Sequence, residues 1–288
     1  MPKVSVLFPV YNTNEAYLRA AMESVLSQTF TDFEFIILND ASTDPNVEKT
    51  VKSYTDNRIR YYVNERNLGI SLTRNKLLDL AAGEYLAIMD HDDISLPTRF
   101  EKQVDYLDNH PNVGVIGCKV KKIPSNQVTR NPTNSDDIKL ALMRSCAISH
   151  SACMIRSDVL KRNNLRYEPK FSPSEDYALF CRLIPLTDFY NIPEVLFLYR
   201  WHKTNTSKTQ AARMERCTYE IQSFAAHDNP VLHSIFMLTA ENTIRVRLFH
   251  FLPIITIRRK GYRTKIYLFE KIPLLSYKNT IKLQEKDS

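Results

Sequence analysis

The feature that most constrains the fold is an alternation of short β-rich runs with helical periodicity through the first 117 residues. The run Val4–Val10 is apolar and rich in β-branched residues, as in a buried strand. Apolar residues between Tyr17 and Leu26 then recur at helical spacing, and a second apolar run covers 33–38. The alternation therefore predicts an α/β domain with a largely parallel sheet.

The same alternation continues down the chain. Further strands are predicted at 60–63, 85–89 and 113–117. A helix is predicted at about 70–82, with Gly83 as its C-cap, and Pro97 opens another amphipathic helix.

The order of elements changes after residue 117. A polar loop covers 124–137, a mixed α/β region follows, and the remainder is predicted to be helical and basic. We therefore predict a main domain at 1–207, with halves at 1–117 and 118–207, and a helical extension at 208–288.

The positive charge of the chain is concentrated near its end. The formal net charge is +7, but residues 245–282 hold ten Lys or Arg against one acid, Glu270, a local charge of +9 that leaves −2 for the rest. Basic and aromatic residues that would line a nucleic-acid groove do not recur through the main domain. We therefore expect no nucleic-acid partner.

The cysteines and the apolar runs bear on the compartment. The five cysteines are odd in number and form no C-x-x-C pair, which argues against a disulfide framework and against a structural zinc site. The start of the chain lacks the pattern of a signal peptide, and no apolar run approaches the roughly 18 residues of a spanning helix. A reducing cytoplasm is the expected location.

An acidic turn follows the strand predicted at 85–89. Asp90, Asp92 and Asp93 place three carboxylates within four residues, and no basic residue stands beside them. In an open α/β sheet, ligands bind beyond the carboxyl ends of the strands, and clustered carboxylates favour a cation such as Mg²⁺ or Mn²⁺ between them. The alternative is an acidic turn that caps the next helix.

Six further motifs precede this turn in order. They are Pro9-Val10-Tyr11-Asn12, Ser24 with Gln28-Thr29, Asp40 with Ser42 and Asp44, Asn67-Leu68-Gly69, Arg74-Asn75, and Ala82-Gly83-Glu84-Tyr85. Together with the acidic turn they resemble the family 2 glycosyltransferases of the GT-A fold. The resemblance implies a nucleotide-diphospho-sugar transferase fold, a Rossmann-like mixed α/β sheet with flanking helices, here with a basic helical C-terminal extension. It makes 1–117 the nucleotide-sugar-binding half.

The resemblance also implies roles for single residues of the donor half. Tyr11 would lie against the nucleobase, with core packing as the alternative, and Asp40 would accept a hydrogen bond from the base. Asn39 stands where the family has an aspartate, and we assign it no catalytic role. Asp92 would be the main metal ligand. The implied substrate-binding set is Pro9, Tyr11, Asp40, Asn67, Arg74, Asp90, Glu175 and His202.

Two later motifs extend the resemblance into the acceptor half. The segment from Ser174 through Glu175 and Asp176 to Leu183 resembles the family's E-D segment, whose aspartate is the general base; the alternative is a helix cap at Ser174. The segment from Tyr199 to His202 resembles the closing Y-R-x-H motif, which makes His202 a metal ligand or a diphosphate contact.

Two other histidines receive weaker interpretations. His91 is interpreted as a spacer within the acidic turn. His150 lies in the half of the chain where an acceptor or donor sugar would bind.

These observations predict an inverting, metal-dependent hexosyl- or N-acetylhexosaminyltransferase. Its donor would be a UDP-sugar, and its acceptor a glycan or lipid-linked glycan of lipopolysaccharide or capsule synthesis. The alternative is a catalytically inactive carbohydrate- or membrane-binding relative. A dehydrogenase is excluded because the five glycines form no G-x-G-x-x-G after the first strand.

The basic tail has two interpretations. Its mixture of apolar blocks and cations is typical of a segment that lies on an anionic membrane surface, here the inner face of the plasma membrane. The alternative is a tail that packs on its own catalytic domain.

Overall fold

The computed structural model describes residues 1–202 and 205–239, together with the backbone of four strands between 241 and 278. The chain forms two compact units, Met1–His227 and Asp228–Ser288.

The first unit alternates strands and helices. Its strands are β1 (Val4–Val10), β2 (Phe33–Asn39), β3 (Ile59–Val63), β4 (Tyr85–Ile88), β5 (Ile94–Ser95), β6 (Val113–Ile123), β7 (Met154–Arg156) and β8 (Asp188–Arg200). Its helices are α1 (Glu15–Leu26), α2 (Pro45–Lys52), α3 (Ile70–Leu80), α4 (Arg99–Asn109), α5 (Ser135–Leu142), α6 (Ser157–Arg162), α7 (Glu175–Leu183), α8 (Thr206–Thr209) and α9 (Ala211–Asp228). The element types expected through residue 117 are confirmed, and α2 is an additional helix.

The strands form one eight-stranded mixed sheet in the order β3-β2-β1-β4-β7-β6-β8-β5. β1 pairs in parallel with both β2 and β4, and β2 pairs in parallel with β3. β7 pairs antiparallel with β4 and β6, whereas β6 and β8 are parallel. The parallel half therefore gathers the carboxyl ends of β1, β2 and β4 at one edge of the sheet.

The core lies on both faces of the central strands. Every residue of β1 and β2 is buried, which explains why their sequences are mostly apolar, and the buried Ser5 and Glu34 side chains hydrogen-bond to each other at 2.6 Å. α1 adds Leu18, Met22 and Val25 from one face, and the Asn14 side chain caps its first turn by accepting hydrogen bonds from two backbone amides.

The Ser24 and Gln28 motif clamps the segment that follows the acidic turn. The Ser24 hydroxyl accepts a hydrogen bond from the Ser95 amide at 3.0 Å. The Gln28 side chain donates to the Leu96 carbonyl at 2.9 Å and accepts from the Phe100 amide at 3.1 Å. These buried bonds attach α1 to β5 and to the start of α4.

Gly83 is not the C-cap of α3, because the cap position is Ala81, in extended conformation. A Cβ at Gly83 would lie 2.5 Å from the backbone nitrogen of Ser5. The glycine is required because the chain passes directly against β1.

α9 belongs to the first unit, although it lies after residue 207. Cys217, Ile221 and Ala225 are buried, and Phe224 lies 5.4 Å from the Phe171 ring. The first unit thus continues twenty residues beyond the domain end that we predict at Ser207.

The second unit departs from the helical expectation for 208–288. α10 (Pro230–Thr239) is helical, but β9 (Glu241–Leu248), β10 (Leu252–Lys260), β11 (Arg263–Leu268) and β12 (Ile272–Lys278) follow it. They pair antiparallel in the order β12-β11-β10-β9. In the described part of the chain, none of the helices has both the length and the apolarity to span a bilayer.

Candidate active site

The candidate site lies where β1, β2 and β4 end side by side. Tyr11 follows β1, Asp40 follows β2 and Asp90 lies two residues after β4. Because β1 is hydrogen-bonded in parallel to both neighbours, the three motifs meet at one edge of the sheet, as expected.

Asn12 joins the first two strand ends, a role that the sequence analysis missed. Its backbone is in the left-handed region, with φ of 44°, a conformation that asparagine tolerates. Its side-chain oxygen accepts hydrogen bonds from the Thr43 amide at 2.9 Å and the Asp44 amide at 3.2 Å. The presence of Asn12 in the first motif was the available signal.

Tyr11 and Pro9 lie in different environments. Tyr11 is 42% exposed, which contradicts the alternative that it is a core residue. Pro9 is buried within β1. Tyr11 therefore presents an exposed aromatic surface at the end of β1, whereas Pro9 is part of the buried strand.

Asp40 is buried and holds the loop before α3. Its two carboxylate oxygens accept hydrogen bonds from the Leu68 and Gly69 amides, both at 2.9 Å, and one of them also accepts from the Asn64 side chain at 2.8 Å. Gly69 has a φ of 80°, which favours glycine there. The Asn67 side chain accepts from the same Gly69 amide at 3.1 Å and is exposed. Asp40 is thus a structural centre of the site.

Arg74 connects the two halves of the site. Its guanidinium donates to Glu175 at 2.6 Å and to Asp90 at 3.1 Å, and only 10% of its side chain is exposed. Burial lowers the pKa of Arg74, but the charges of Asp90 and Glu175 outweigh that effect and raise it. Both terminal nitrogens are engaged by carboxylates, so Arg74 organises the site in addition to any contact with phosphate.

Asp176 lies beside this network at the start of α7. It is partly exposed, and one carboxylate oxygen accepts from the Tyr177 amide at 2.7 Å. Burial, followed by the negative charge of Glu175, raises the pKa of Asp176 to about 6, despite the opposing charge of Arg74. A carboxylate with such a pKa is suited to general-base catalysis near neutral pH. Ser174 is the N-cap residue of α7 and Glu175 and Asp176 lie in its first turn, as the alternative for this motif expects, but the Ser174 side chain forms no capping hydrogen bond.

Asp92 and His202 meet although they are far apart in sequence. His202 Nε2 lies 2.8 Å from Asp92 Oδ2, and both side chains are mostly buried. A carboxylate oxygen is a ligand that Mn²⁺ and Mg²⁺ prefer, and an imidazole nitrogen is a common ligand of divalent transition metals. The described residues contain no cluster of three or more His, Cys, Asp or Glu side chains arranged as a metal site. Asp92 and His202 are two side chains close enough to contact one cation.

The acidic turn does not cap α4, whose N-cap residue is Thr98. Asp93 is instead fully buried, and its carboxylate accepts from the Arg200 amide at 2.8 Å. Burial, followed by the charges of Asp92 and Asp90, raises the pKa of Asp93. Asp93 and Arg200 are further residues that the sequence analysis quoted in motifs without assigning them roles.

The remaining polar candidates make internal contacts. His150 is buried against Tyr167, with 2.9 Å between its Nε2 and the phenol oxygen, and burial lowers its pKa. His91 Nδ1 lies 2.8 Å from the Thr13 hydroxyl. The Asn39 amide donates to the Tyr61 hydroxyl at 3.0 Å and accepts from Ser42. Hydrogen bonds link Arg74 to Asp90 and to Glu175. The hydrogen bond of His150 is to Tyr167, outside that group.

Enclosed space lies away from these residues. A cavity of about 290 Å³ is lined by residues of α3 and α6, and a more open one of about 530 Å³ lies beside Lys119 and Arg130. Neither of these two cavities is lined by Tyr11, Asp40 or Asp92.

Comparison of the sequence with protein families gives one match over most of the chain. Residues 5–236 match the family described as Glycosyl transferase family 2. An uncharacterized glycosyltransferase of Methanocaldococcus jannaschii is 36% identical over 207 residues, which cover 69% of this chain and 71% of that protein. The O-antigen biosynthesis glycosyltransferase WbnJ of Escherichia coli is 30% identical over 230 residues, 77% of this chain and 88% of its own.

Solved structures with the same fold include TarS of S. aureus and a mannosyltransferase. Residues 1–349 of S. aureus TarS, in complex with UDP, superimpose with a TM-score of 0.63 at 20% identity. The match covers 83% of this chain and 66% of that fragment, just under two thirds of it. The mannosyltransferase PcManGT from Pyrobaculum calidifontis, in complex with GDP-Man and Mn²⁺, gives 0.63 at 18% identity and covers 82% of this chain and 70% of its own. Likenesses at this identity show a shared fold.

Proposed function

The chain belongs to glycosyl transferase family 2, and from this membership we propose that it transfers a sugar from a nucleotide diphosphate, UDP in the first instance, to an acceptor hydroxyl with inversion. One observation carries the proposal. Arg74 bonds both Asp90 of the acidic turn and Glu175, which lies 101 residues further on and precedes Asp176. The donor motifs and the proposed base thus meet at one point.

The donor half supplies the nucleotide contacts in this proposal. Tyr11 provides a stacking face for the base, and the loop that Asp40 holds through Leu68 and Gly69 forms the adjacent wall. Asn67, Asp90 and Arg74 lie along the groove towards the diphosphate, with Pro9 as the support of Tyr11. The structures of TarS with UDP and of PcManGT with GDP-Man support a donor that carries a nucleotide.

Asp92 and His202 would hold a divalent cation, Mn²⁺ or Mg²⁺, against the diphosphate. A bound cation of this kind supplies Lewis-acid stabilisation of the charge that develops on the leaving diphosphate. The 2.8 Å separation of His202 Nε2 and Asp92 Oδ2 places the two groups where one cation could contact both.

Asp176 would act as the general base. It takes the proton from the acceptor hydroxyl while an oxygen lone pair of that hydroxyl forms the bond to the anomeric carbon. The bond from that carbon to the diphosphate oxygen breaks, and its electron pair leaves with the nucleoside diphosphate. Direct attack from the opposite side inverts the anomeric configuration.

The acceptor is proposed to be a glycan or lipid-linked glycan of the cell surface. Similarity to WbnJ, an O-antigen biosynthesis enzyme, supports lipopolysaccharide synthesis, with capsule synthesis as a related pathway. A hexose or N-acetylhexosamine is the proposed transferred sugar.

The test is a screen of UDP- and GDP-sugars with Mn²⁺, scored by release of nucleoside diphosphate in the presence of glycan acceptors. Asp92→Ala should lower turnover by at least about 10²-fold and weaken nucleotide binding, because it removes the main cation ligand. Asp136→Ala, an exposed acid in the first turn of α5, is the control and should behave like the unmodified protein. Full activity in EDTA would contradict metal dependence, and no turnover with any donor would favour an inactive binding protein.

The second unit is proposed to hold the enzyme at an anionic membrane surface, on the inner face of the plasma membrane. Val231 of α10 is 74% exposed and Met237 and Leu238 are each 52% exposed, and the ten-residue helix has no charged side chain. The segment 245–282, with its charge of +9, follows directly. Apolar side chains next to clustered cations suit a bilayer that contains acidic lipid.

A further inference from the structure

Asp92 is attached to the end of β8 by both its side chain and its backbone. Its carboxylate meets His202 Nε2 at 2.8 Å. Its carbonyl oxygen accepts a hydrogen bond from Arg200 Nε, also at 2.8 Å. The neighbouring carboxylate, Asp93, accepts from the Arg200 amide at 2.8 Å. Arg200 thus donates two hydrogen bonds from β8 to the acidic turn, one to the Asp93 carboxylate and one to the Asp92 carbonyl.

Arg200 is itself fixed on its other sides. Its guanidinium carbon lies 4.4 Å from the centre of the Tyr17 ring. Its carbonyl accepts from the Asn205 side chain at 3.1 Å, and the Asn205 oxygen in turn accepts from the His202 amide at 2.5 Å. Asn205 is buried. The same short segment therefore fixes both Arg200 and His202.

The chain on the far side of the turn is equally constrained. Ile94 and Ser95 of β5 pair with Leu198 and Phe197 of β8, immediately after Asp93. The turn thus has little freedom to move away from β8. The Asp92 carbonyl and the side chain of the next residue, Asp93, are both hydrogen-bonded, so the backbone of Asp92 has a restricted orientation. The direction of the Asp92 carboxylate follows from that orientation.

We infer that Arg200 and Asp93 are positioning residues that fix the direction of the Asp92 carboxylate for cation binding. The inference rests on the proposed function. It assigns a role to the third aspartate of the acidic turn and to the arginine of the closing motif, neither of which needs to touch the cation. Removal of an outer partner of a metal ligand typically costs about 10- to 100-fold in metal affinity.

The test compares the dissociation constant of UDP in saturating Mn²⁺ with that in EDTA, by isothermal titration calorimetry on the full chain. The dissociation constant in EDTA divided by that in Mn²⁺ isolates the cation-dependent part of binding. We expect Arg200→Gln and Asp93→Ala to reduce this ratio by about tenfold, with UDP affinity in EDTA unchanged. Asp93→Asn keeps an oxygen that accepts from the Arg200 amide, so it should retain a ratio close to that of the unmodified protein.

Arg19→Gln is the matched control, because the Arg19 side chain on α1 is partly exposed and bonds Glu15 and Ser53, which lie outside the acidic turn and β8. An unchanged ratio in Arg200→Gln and Asp93→Ala would overturn the inference. Equal loss in Asp93→Asn and Asp93→Ala would also overturn it, because the charge of Asp93 would then be the ligand. If Arg200→Gln and Asp93→Ala lose UDP affinity in EDTA and also have a lower Tm, these residues have a general folding role and the inference is wrong. A parent protein that does not bind UDP in either condition would refute the proposed donor site, not the positioning of Asp92.

Discussion

The surroundings of Asp176 favour the protonated form of its carboxyl group. Its pKa is raised to about 6 by burial and by the charge of Glu175. The base form therefore predominates above this pH and is lost as the pH falls through it. We expect the kcat of transfer to decline on the acid side with an apparent pKa near 6, measured by initial rates at saturating substrate. A flat profile from pH 5 to 8 would contradict the assignment.

Asp176→Asn separates catalysis from folding. The amide cannot take a proton, so transfer should fall by about 10²-fold or more while UDP binding persists. The stability of Asp176→Asn, in contrast to its activity, should increase. A raised carboxyl pKa costs stability at pH values above it, so the variant should unfold at a higher temperature at pH 8, with the difference shrinking at pH 5. Calorimetric melting at the two pH values measures this, and loss of UDP binding would place Asp176 in the nucleotide site.

Asp40 provides a second test at the same scale. Asp40→Asn introduces an N–H group where a carboxylate oxygen accepts from the Leu68 or Gly69 amide. A buried donor that faces another donor costs about 1 to 3 kcal/mol, so the free energy of unfolding should fall by that amount and UDP binding should weaken. Asp44→Asn is the control, since asparagine replaces aspartate well at the N-cap of α2. Equal stability of the two variants in urea denaturation would mean that Asp40 does not hold this loop.

The elements of the parallel half followed from local sequence patterns, whereas the contacts among them did not. β1 and β2 are apolar runs with polar residues at their ends, and both features are visible in the sequence. The partners of Asp40 lie 28 and 29 residues further on, and Glu175 lies 101 residues from Arg74. No periodicity within a segment specifies such a partner, so only the general location of these residues was predictable.

The four strands of the second unit were predicted wrongly as helix, whereas α10 is helical as expected. Short apolar blocks separated by basic residues fit either a helix or a strand when periodicity alone is considered. β10 contains Ile254, Ile255, Thr256 and Ile257, and this run of β-branched residues was the signal that favours a strand. In this region β-propensity favours a strand where periodicity does not decide between strand and helix.

Gly83 provides a test at the level of strand packing. Gly83→Ala should destabilise the fold by at least about 1 to 3 kcal/mol, because its Cβ would meet backbone atoms of β1 that cannot rotate away. Gly69→Ala provides the comparison, since a Cβ there meets nothing within 4 Å and only the φ of 80° opposes it. Chemical denaturation should rank Gly83→Ala as the less stable variant. The reverse order would show that the passage of Gly83 against Ser5 is not a fixed contact.

At the scale of the whole molecule, the two units divide the chemistry from the proposed attachment. All residues that we assign to the donor, the cation and the base lie between Pro9 and His202, within the unit Met1–His227. The exposed apolar side chains of α10 and the charge of +9 in 245–282 lie in the unit that follows. Catalysis on a soluble acceptor and binding to a membrane should therefore be separable.

Two truncations test this division. A chain that ends at His227 should keep α9 and its contacts, transfer sugar to a short soluble acceptor within about twofold of the full-length rate, and lose binding to vesicles that contain phosphatidylglycerol. A chain that ends at Thr239 keeps α10 without the basic strands, so it should bind these vesicles weakly and with little dependence on salt. The full chain should bind at low salt and be partly released as screening weakens its charge contacts. Sedimentation with vesicles at two salt concentrations measures each case. If the full chain does not sediment, or if the shorter chain unfolds, the second unit is a structural part of the enzyme and the membrane proposal is wrong.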